Sequence, residues 1–263
     1  MIFEASRIII YYGNNIQKNG ENMDIKKLKK ELIKEYKYQI ELHAHTSPAS
    51  GCSQISPKEM AETYKNLGYD AVTIANHFVH EYHGLSKEEV IDRFLNDFEE
   101  TKKYGEEIGI KVYLAAEIRF NENDNDYLVF GVDKKMLSEI YDLLPYGIEN
   151  FRKTYKIPES VFIQAHPFRE GMEKVDPSLL DGIEVYNMHP NHNSKVGLAA
   201  VYAKENNFPI ITAGSDFHHP NRCHEGVSAI RSNILPENSF DLAALLKSGD
   251  YLLEVGRNNI VLP

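Results

Sequence analysis

The sequence predicts an α/β protein in which a mostly parallel sheet, covered by helices, closes into a β/α barrel. Three observations carry this. Short, nearly continuous apolar runs alternate with amphipathic helical patterns from residue 39 onward, as strands buried on both faces require. No glycine-rich loop follows any of these runs, so the dinucleotide-binding and P-loop arrangements lack their phosphate cradle. The 263 residues suffice for one large domain built from seven or eight such repeats.

Residues 1–22 stand apart. Asn14-Asn15 and Lys18-Asn19-Gly20-Glu21-Asn22 are polar and turn-prone, so no core is expected there, and Met23 is a candidate initiator. Asp24 can cap a helix with Ile25, Leu28, Leu32 and Tyr36 on one face. Residues 1–38 therefore form an N-terminal helical extension and 39–263 the barrel domain. After a first strand at 38–42, Ser56-Pro57-Lys58-Glu59 is a capping box with proline at the first helical position, followed by the stripe Met60, Ala61, Tyr64 and Leu67. Gly68 ends that helix and 71–75 is a buried strand. A second capping box, Ser86-Lys87-Glu88-Glu89, opens a long helix to about 105 with Val90, Ile91, Phe94, Leu95 and Phe98 inward. Strands follow at 112–116, 127–132, 161–165, 183–186 and 209–213, with a helix at 194–205 between the last two. A helix at 240–247 and a strand at 251–255 complete the chain.

Composition narrows the partners. The net charge of −10 argues against an extended nucleic-acid surface, which needs clustered positive charge, but leaves room for a small anion because bound cations reverse the local field. Cys52 and Cys223 are too few for a disulfide framework, and 8–12, the longest apolar stretch near the N-terminus, is too short for a membrane span or signal core. A cytoplasmic protein with no membrane partner is expected. All eleven histidines fall between His43 and His224, which suggests a shared site.

In a β/α barrel the chemistry lies where parallel strands deliver their C-terminal ends. The apolar runs end in His43 and His45; Asn76-His77; Glu117; Asp133; His166; Tyr186-Asn187; and Ser215-Asp216-Phe217-His218. Residues two apart on a strand face one side, so His43 and His45 can address a single ion. Neutral imidazole and carboxylate suit Zn²⁺, Mn²⁺ or Fe²⁺, and the set exceeds the needs of one four-coordinate ion. Two to three divalent ions are expected.

The chain here resembles the PHP (polymerase and histidinol phosphatase) family of metal-dependent phosphoesterases. The resemblance rests on 41–46 (Glu-Leu-His-Ala-His-Thr), 73–77, Ala116-Glu117, Ala165-His166-Pro167 and 214–218, in the family's order. It implies a distorted seven-stranded β/α barrel. It also implies that His43, His45, Glu117 and Asp216 hold a first metal, Glu117 and His166 share a second, and His77 and His218 belong to a third. Two departures stand out. An acidic residue or histidine expected five or six residues after the second histidine is replaced by Ser50 and Gly51. A histidine expected after strand 127–132 is missing, with Asp133 the nearest candidate.

Around these ligands, Arg169 is the first choice for gripping a phosphate, ahead of Arg222 and then Arg119. His189 is expected to contact substrate. His192 is expected to serve catalysis, with Asp216, by passing a proton to the leaving group, while His80 and His83 are further candidates for either role. Cys52 reads as a buried structural thiol before a metal thiolate, and Ser215 as a turn residue. The expected function is hydrolysis of a small phosphomonoester by a metal-bound hydroxide at a di- or trinuclear site. Histidinol phosphatase activity, amidohydrolase-type C–N hydrolysis and a non-catalytic metal-binding barrel are the alternatives. A metal-bridging lysine after a mid-barrel strand would mark the amidohydrolase case, and none is evident.

Overall fold

The structure, a computed structural model, describes residues 9–12, 15–18, 21–220 and 225–263, with side chains from Asp24 onward. Where no core was expected, β1 (Ile9–Tyr12), β2 (Asn15–Lys18) and β3 (Glu21–Met23) pair as a three-stranded antiparallel sheet. The helical part of the extension is α1 (Ile25–Glu35), capped by the Asp24 carboxylate accepting from the Lys26 amide.

The barrel comprises β4 (Tyr38–Ala44), β5 (Ala71–Ile74), β7 (Lys111–Arg119), β8 (Asp126–Phe130), β9 (Val161–Gln164), β10 (Gly182–Asn187) and β11 (Ile210–Gly214), side by side in that order. A short β6 (His77–Val79) joins the far end of β7. The ring closes by a single parallel bridge, Ala44 to Phe217. There the His45 amide donates to the Phe217 carbonyl (2.9 Å) and the Phe217 amide to the His43 carbonyl (3.3 Å). Below that bridge β12 (Ser228–Ser232) pairs antiparallel with Tyr38–Ile40 of β4 and carries β13 (Leu252–Val255) and β14 (Asn259–Val261) outward.

One strand departs from the parallel expectation. β8 runs antiparallel to both β7 and β9, because the six residues between β7 and β8 are too few for a crossover helix and form a hairpin link instead. Its C-terminal end therefore points away from the other strands' C-terminal ends.

The sheet buries both faces. Val72, Ile74, Val112, Leu114 and Ala116 pack outward against α2 (Pro57–Asn66), α3 (Lys87–Ile108), α4 (Lys134–Leu143), α5 (Gly147–Thr154) and α6 (Val196–Glu205). The alternate positions Ala71, Tyr113 and Ala115 join Leu128, Phe130 and Ile163 in a second core, into which α7 (Ser239–Ser248) inserts Leu242, Ala243 and Leu246. Both capping boxes form as expected, at Ser56 and Ser86. Among the described residues no helix is long and apolar enough to cross a membrane.

Candidate metal centre

β4 brings His43 and His45 to the same point, with ring centroids 5.0 Å apart and both residues fully buried. Facing them is Glu117 from β7. Its Oε1 lies 3.3 Å from His43 Nε2 and 3.1 Å from His166 Nε2, and its Oε2 lies 3.4 Å from His45 Nε2 and 2.8 Å from His77 Nδ1. One carboxylate thus meets four imidazoles, the position of a bridging ligand. Asp216 closes the opposite side, with Oδ1 3.2 Å from His45 Nε2, 3.6 Å from His43 Nε2 and 3.3 Å from His218 Nδ1. His45 and His218 stack at 4.1 Å.

His43 Nε2, His45 Nε2 and Glu117 Oε2 are buried without a hydrogen-bond partner. Leaving such atoms unpaired costs about 1–3 kcal/mol each, so their convergence fits a centre completed by cations. Nitrogen and carboxylate donors suit divalent transition ions. Four overlapping groups have mutually close ligand atoms: His43-His45-Glu117, His45-His77-His218, His189-Asp216-His218 and His77-Glu117-Asp126. Six of the seven residues expected to hold metal belong to these groups, and the seventh, His166, meets them through Nε2, 3.1 Å from Glu117 Oε1.

The ligands are held from behind. Glu184 on β10 accepts from His43 Nδ1 (2.9 Å), the His166 amide (3.2 Å) and Asn187 Nδ2 (2.9 Å), the carboxylate–histidine arrangement that fixes a ring's orientation and tautomer. Ser50 Oγ stands 3.1 Å from His45 Nδ1, accepts from the His77 amide (3.0 Å) and donates to Asn76 Oδ1 (2.9 Å). Glu41 accepts from the His43 amide (3.0 Å), the Ser215 amide (3.0 Å), Ser215 Oγ (2.7 Å) and Tyr64 Oη (3.0 Å). Ser215 is thus a clamp on the Asp216 turn. His166 (φ 31°) and Asp216 (φ 51°) both have left-handed backbone, a strain of about 1–3 kcal/mol each that this packing sustains.

The electrostatics separate the histidines. Burial opposes a charged His43, yet the carboxylates of Glu184, Asp216 and Glu117 raise its pKa well above the usual range. Burial and the neighbouring His218 push His45 well below it. Burial works against charge on Glu117 and Asp216 too, but the surrounding histidines hold both carboxyls well below the ordinary range. Burial lifts Glu41 to about 7 despite its hydrogen bonds.

Asp133 is not at the site. Because β8 is antiparallel, Asp133 caps α4 at the opposite end, its side chain accepting from the Met136 amide (2.8 Å). The first residue of β8, Asp126, takes the vacant place, with Oδ2 3.9 Å from His166 Nε2. Arg119 forks onto Asp126 at 2.8 Å through both Nε and Nη2, so it braces this carboxylate rather than reaching for substrate. Arg169 does reach the centre, with Nη1 3.6 Å from Asp216 Oδ2 and Nη2 2.5 Å from His192 Nε2. His189 lies beside His218 and His192. Burial lowers its pKa to about 3, and its Nδ1 accepts from the Asn191 amide (3.2 Å). His80 packs on Tyr141 and His83 on Tyr82, outside the cluster. Arg222 lies outside the described residues. Cys52 is exposed, not a buried structural thiol. Sequence reasoning also missed Glu184 and Glu41. Both are charged residues inside predicted apolar strands, which is itself a signal of a paired role.

The family model for the PHP domain matches residues 41–205. Among solved structures, the chain is similar to a two-domain protein from Bacteroides vulgatus ATCC 8482 containing a predicted PHP-like metal-dependent phosphoesterase. The identity is 15% and the TM-score 0.58, over 83% of this chain and 65% of that one. This likeness establishes the fold, and the chain spans about 65% of that protein's length. Weaker likenesses are to a protein assigned as a metal-dependent phosphoesterase from Bifidobacterium adolescentis ATCC 15703 (16% identity, TM-score 0.45, 68% of this chain and 87% of that one). A further one is to an amidohydrolase from Chromobacterium violaceum with bound sulfate and no metal (14%, TM-score 0.41, 69% and 88%). No curated protein matches the chain.

Proposed function

The chain belongs to the PHP domain family, and from that premise we propose that it is a metal-dependent phosphoesterase acting on a small phosphomonoester. The observation that carries this is Glu117, one buried carboxylate against four imidazoles, with Asp216 completing the ring. His43, His45, Glu117 and Asp216 would hold one ion; Glu117, His166 and Asp126 a second; His77 and His218 a third. Divalent ions held there would make a water nucleophilic at neutral pH and draw charge from the ester oxygens.

The rest of the chemistry falls to side chains at the cleft mouth. Arg169 presents a guanidinium beside Asp216, where it can fork onto two phosphate oxygens. His189, beside His218 and His192 and accepting at Nδ1 from the Asn191 amide, is a second side chain placed to contact substrate. His192, its pKa lowered by burial and by Arg169, is neutral and aims that guanidinium by accepting from it, and the leaving alkoxide takes its proton from water. Glu117, and not a lysine, would be the ligand shared between ions, which favours ester over amidohydrolase-type chemistry.

The test is hydrolysis of p-nitrophenyl phosphate with Mn²⁺, Zn²⁺ or Fe²⁺, with metal content measured on the same samples. Turnover lost in His45→Ala and Asp216→Ala supports the proposal. Full metal content without turnover of any phosphomonoester overturns it.

A further inference from the structure

Asp97 sits on α3 with 3% of its surface exposed, and the chemistry above gives it no part. A buried carboxylate needs donors to hold it, and Asp97 finds two in the loop after β4. Its Oδ2 accepts from the Thr46 hydroxyl (3.0 Å) and from the Ala49 amide (2.9 Å). The same loop carries Ser50, which stands where an acidic residue or histidine was expected.

The direction of each hydrogen bond between Asp97 and the metal centre follows from which atoms carry hydrogens. A backbone amide can only donate, so the Asn76 atom that meets the Thr46 amide at 2.7 Å is its carbonyl oxygen. Asn76 Nδ2 then donates to Thr46 Oγ1 (2.8 Å), and the Thr46 hydroxyl hydrogen goes to Asp97. Ser50 Oγ stands 2.9 Å from the same Asn76 oxygen, which has no hydrogen, so the serine spends its single hydrogen there. The His77 amide donates to Ser50 Oγ at 3.0 Å. One contact remains, His45 Nδ1 to Ser50 Oγ at 3.1 Å, and only the imidazole can supply its hydrogen. No other placement puts a hydrogen in every one of these contacts. His45 Nε2 is then a bare lone pair, buried without a hydrogen-bond partner, 3.2 Å from Asp216 Oδ1 and 3.4 Å from Glu117 Oε2. A lone pair facing two carboxylates suits a cation between them.

We propose that Asp97, Thr46, Asn76 and Ser50 form a one-way hydrogen-bond chain that holds His45 as its Nδ1–H tautomer before any ion arrives, and that Asp97 is a positioning residue for the first cation. The inference rests on the metal-dependent reading of the centre. A ring tied at one nitrogen in this way presents the other at a fixed angle, and binding a cation requires neither a turn of the ring nor a proton to leave it. His43 reaches the same end by a shorter route, through Glu184. Ser50 is therefore no lost ligand. Its hydrogen and both its lone pairs are spent on Asn76, His77 and His45, and it sets a neighbouring ligand instead.

The experiment uses the full chain, metal-free at mildly alkaline pH, with isotope-labelled histidine. Long-range proton–nitrogen NMR correlations show which ring nitrogen of each histidine carries hydrogen, and His45→Gln identifies the His45 signals. The expected result is a hydrogen on His45 Nδ1 and none on Nε2. Ser50→Ala should move it to Nε2, toward Asp216, and weaken binding of the first zinc ion by about 10–100-fold in a chelator competition. Asp97→Ala should shift both readings in the same direction. Asp97→Asn, whose carbonyl oxygen can accept from Thr46 and Ala49, should restore them. His43 keeps its Nδ1 hydrogen in every variant because Glu184 accepts there, so a lost fold is told apart from a lost tautomer. A His45 hydrogen on Nε2 in the unsubstituted protein overturns the proposal whatever the variants do. So does Nδ1–H retained with unchanged zinc affinity in Ser50→Ala, and unchanged readings in Asp97→Ala overturn the part given to Asp97. The expected tautomer with no zinc uptake overturns the metal-dependent reading, and with it the positioning role, while the hydrogen-bond chain stands.

Discussion

Gly214 ends β11 in the narrowest part of the centre, and replacing it by alanine tests how tightly the first metal ligand is packed. Its backbone is not left-handed, so the substitution brings no conformational strain. The added β-carbon would stand 2.4 Å from Glu184 Oε1 and 2.6 Å from His43 Cβ. Both contacts are far inside van der Waals distance, and neither neighbour can step aside cheaply. Glu184 is pinned by three hydrogen bonds, and His43 sits on a fully buried strand. Overpacking of this kind costs about 1–3 kcal/mol, and losing the charge-assisted bond between Glu184 and His43 adds about 1.5–3 kcal/mol. A total near 2.5–6 kcal/mol corresponds to roughly 5–24 °C in Tm for a chain of this size. The metal held by His43 should bind about 10–100-fold more weakly, because the ring loses the carboxylate that orients it. Thermal melting and a competitive chelator titration measure the two effects. Gly51→Ala is the internal control. Its clash at 2.6 Å is with the end of the Tyr82 side chain, which can swing, so its cost should stay below about 1 kcal/mol. A Gly214→Ala protein with unchanged Tm and metal affinity would refute the packing of His43 against Glu184.

Glu184→Gln should lower first-site metal affinity about 10–100-fold with little loss of fold, as read by the same chelator competition. Glu41 titrates near 7 when folded against 4.5 when unfolded, so the folded state alone holds its proton between those values. Stability of the metal-free protein should therefore rise as pH falls from 7 to 4.5, by about 3 kcal/mol from this group, and urea melts of Glu41→Gln should lose that slope. Asp133→Ala should cost about 1 kcal/mol of helix capping and leave metal content unchanged. Asp126→Asn should weaken uptake of the ion shared by Glu117 and His166, and elemental analysis separates the two variants. Arg169→Met should reduce kcat/KM for a phosphomonoester by about 10–100-fold, the worth of a charge-assisted hydrogen bond.

Much of this centre is legible in the sequence because parallel strands translate position along the chain into position in space. A polar residue ending an apolar run must surface at one rim of the barrel, so His43, His45, His77, Glu117, His166, Asp216 and His218 could be gathered without coordinates. The same rule misplaced Asp133, because it assumes a strand direction that the short 120–125 link does not permit. Measured against the dozen or more residues that a βαβ crossover needs, that six-residue link already announced a hairpin and pointed to Asp126 instead. Glu41 and Glu184 were hidden for another reason. Each sits inside a strand whose neighbours are apolar, so its partner, Ser215 or His43, comes from a segment more than 140 positions away. Cys52 was misjudged because cysteine is usually buried, whereas here it is exposed. The N-terminal sheet escaped notice since strands of three or four residues are too short to carry a hydrophobic period.

The barrel's seam has a consequence for what the ions do besides chemistry. Strands β4 and β11 are joined by one bridge at Ala44 and Phe217, a thin weld compared with the ladders elsewhere in the ring. His43 and His45 stand on one lip of that seam, Asp216 and His218 on the other. A cation shared between the lips would act as a rivet, so loss of metal should unzip the wall at this place before any helix loosens. In that sense the reaction centre is also the clasp of its own container.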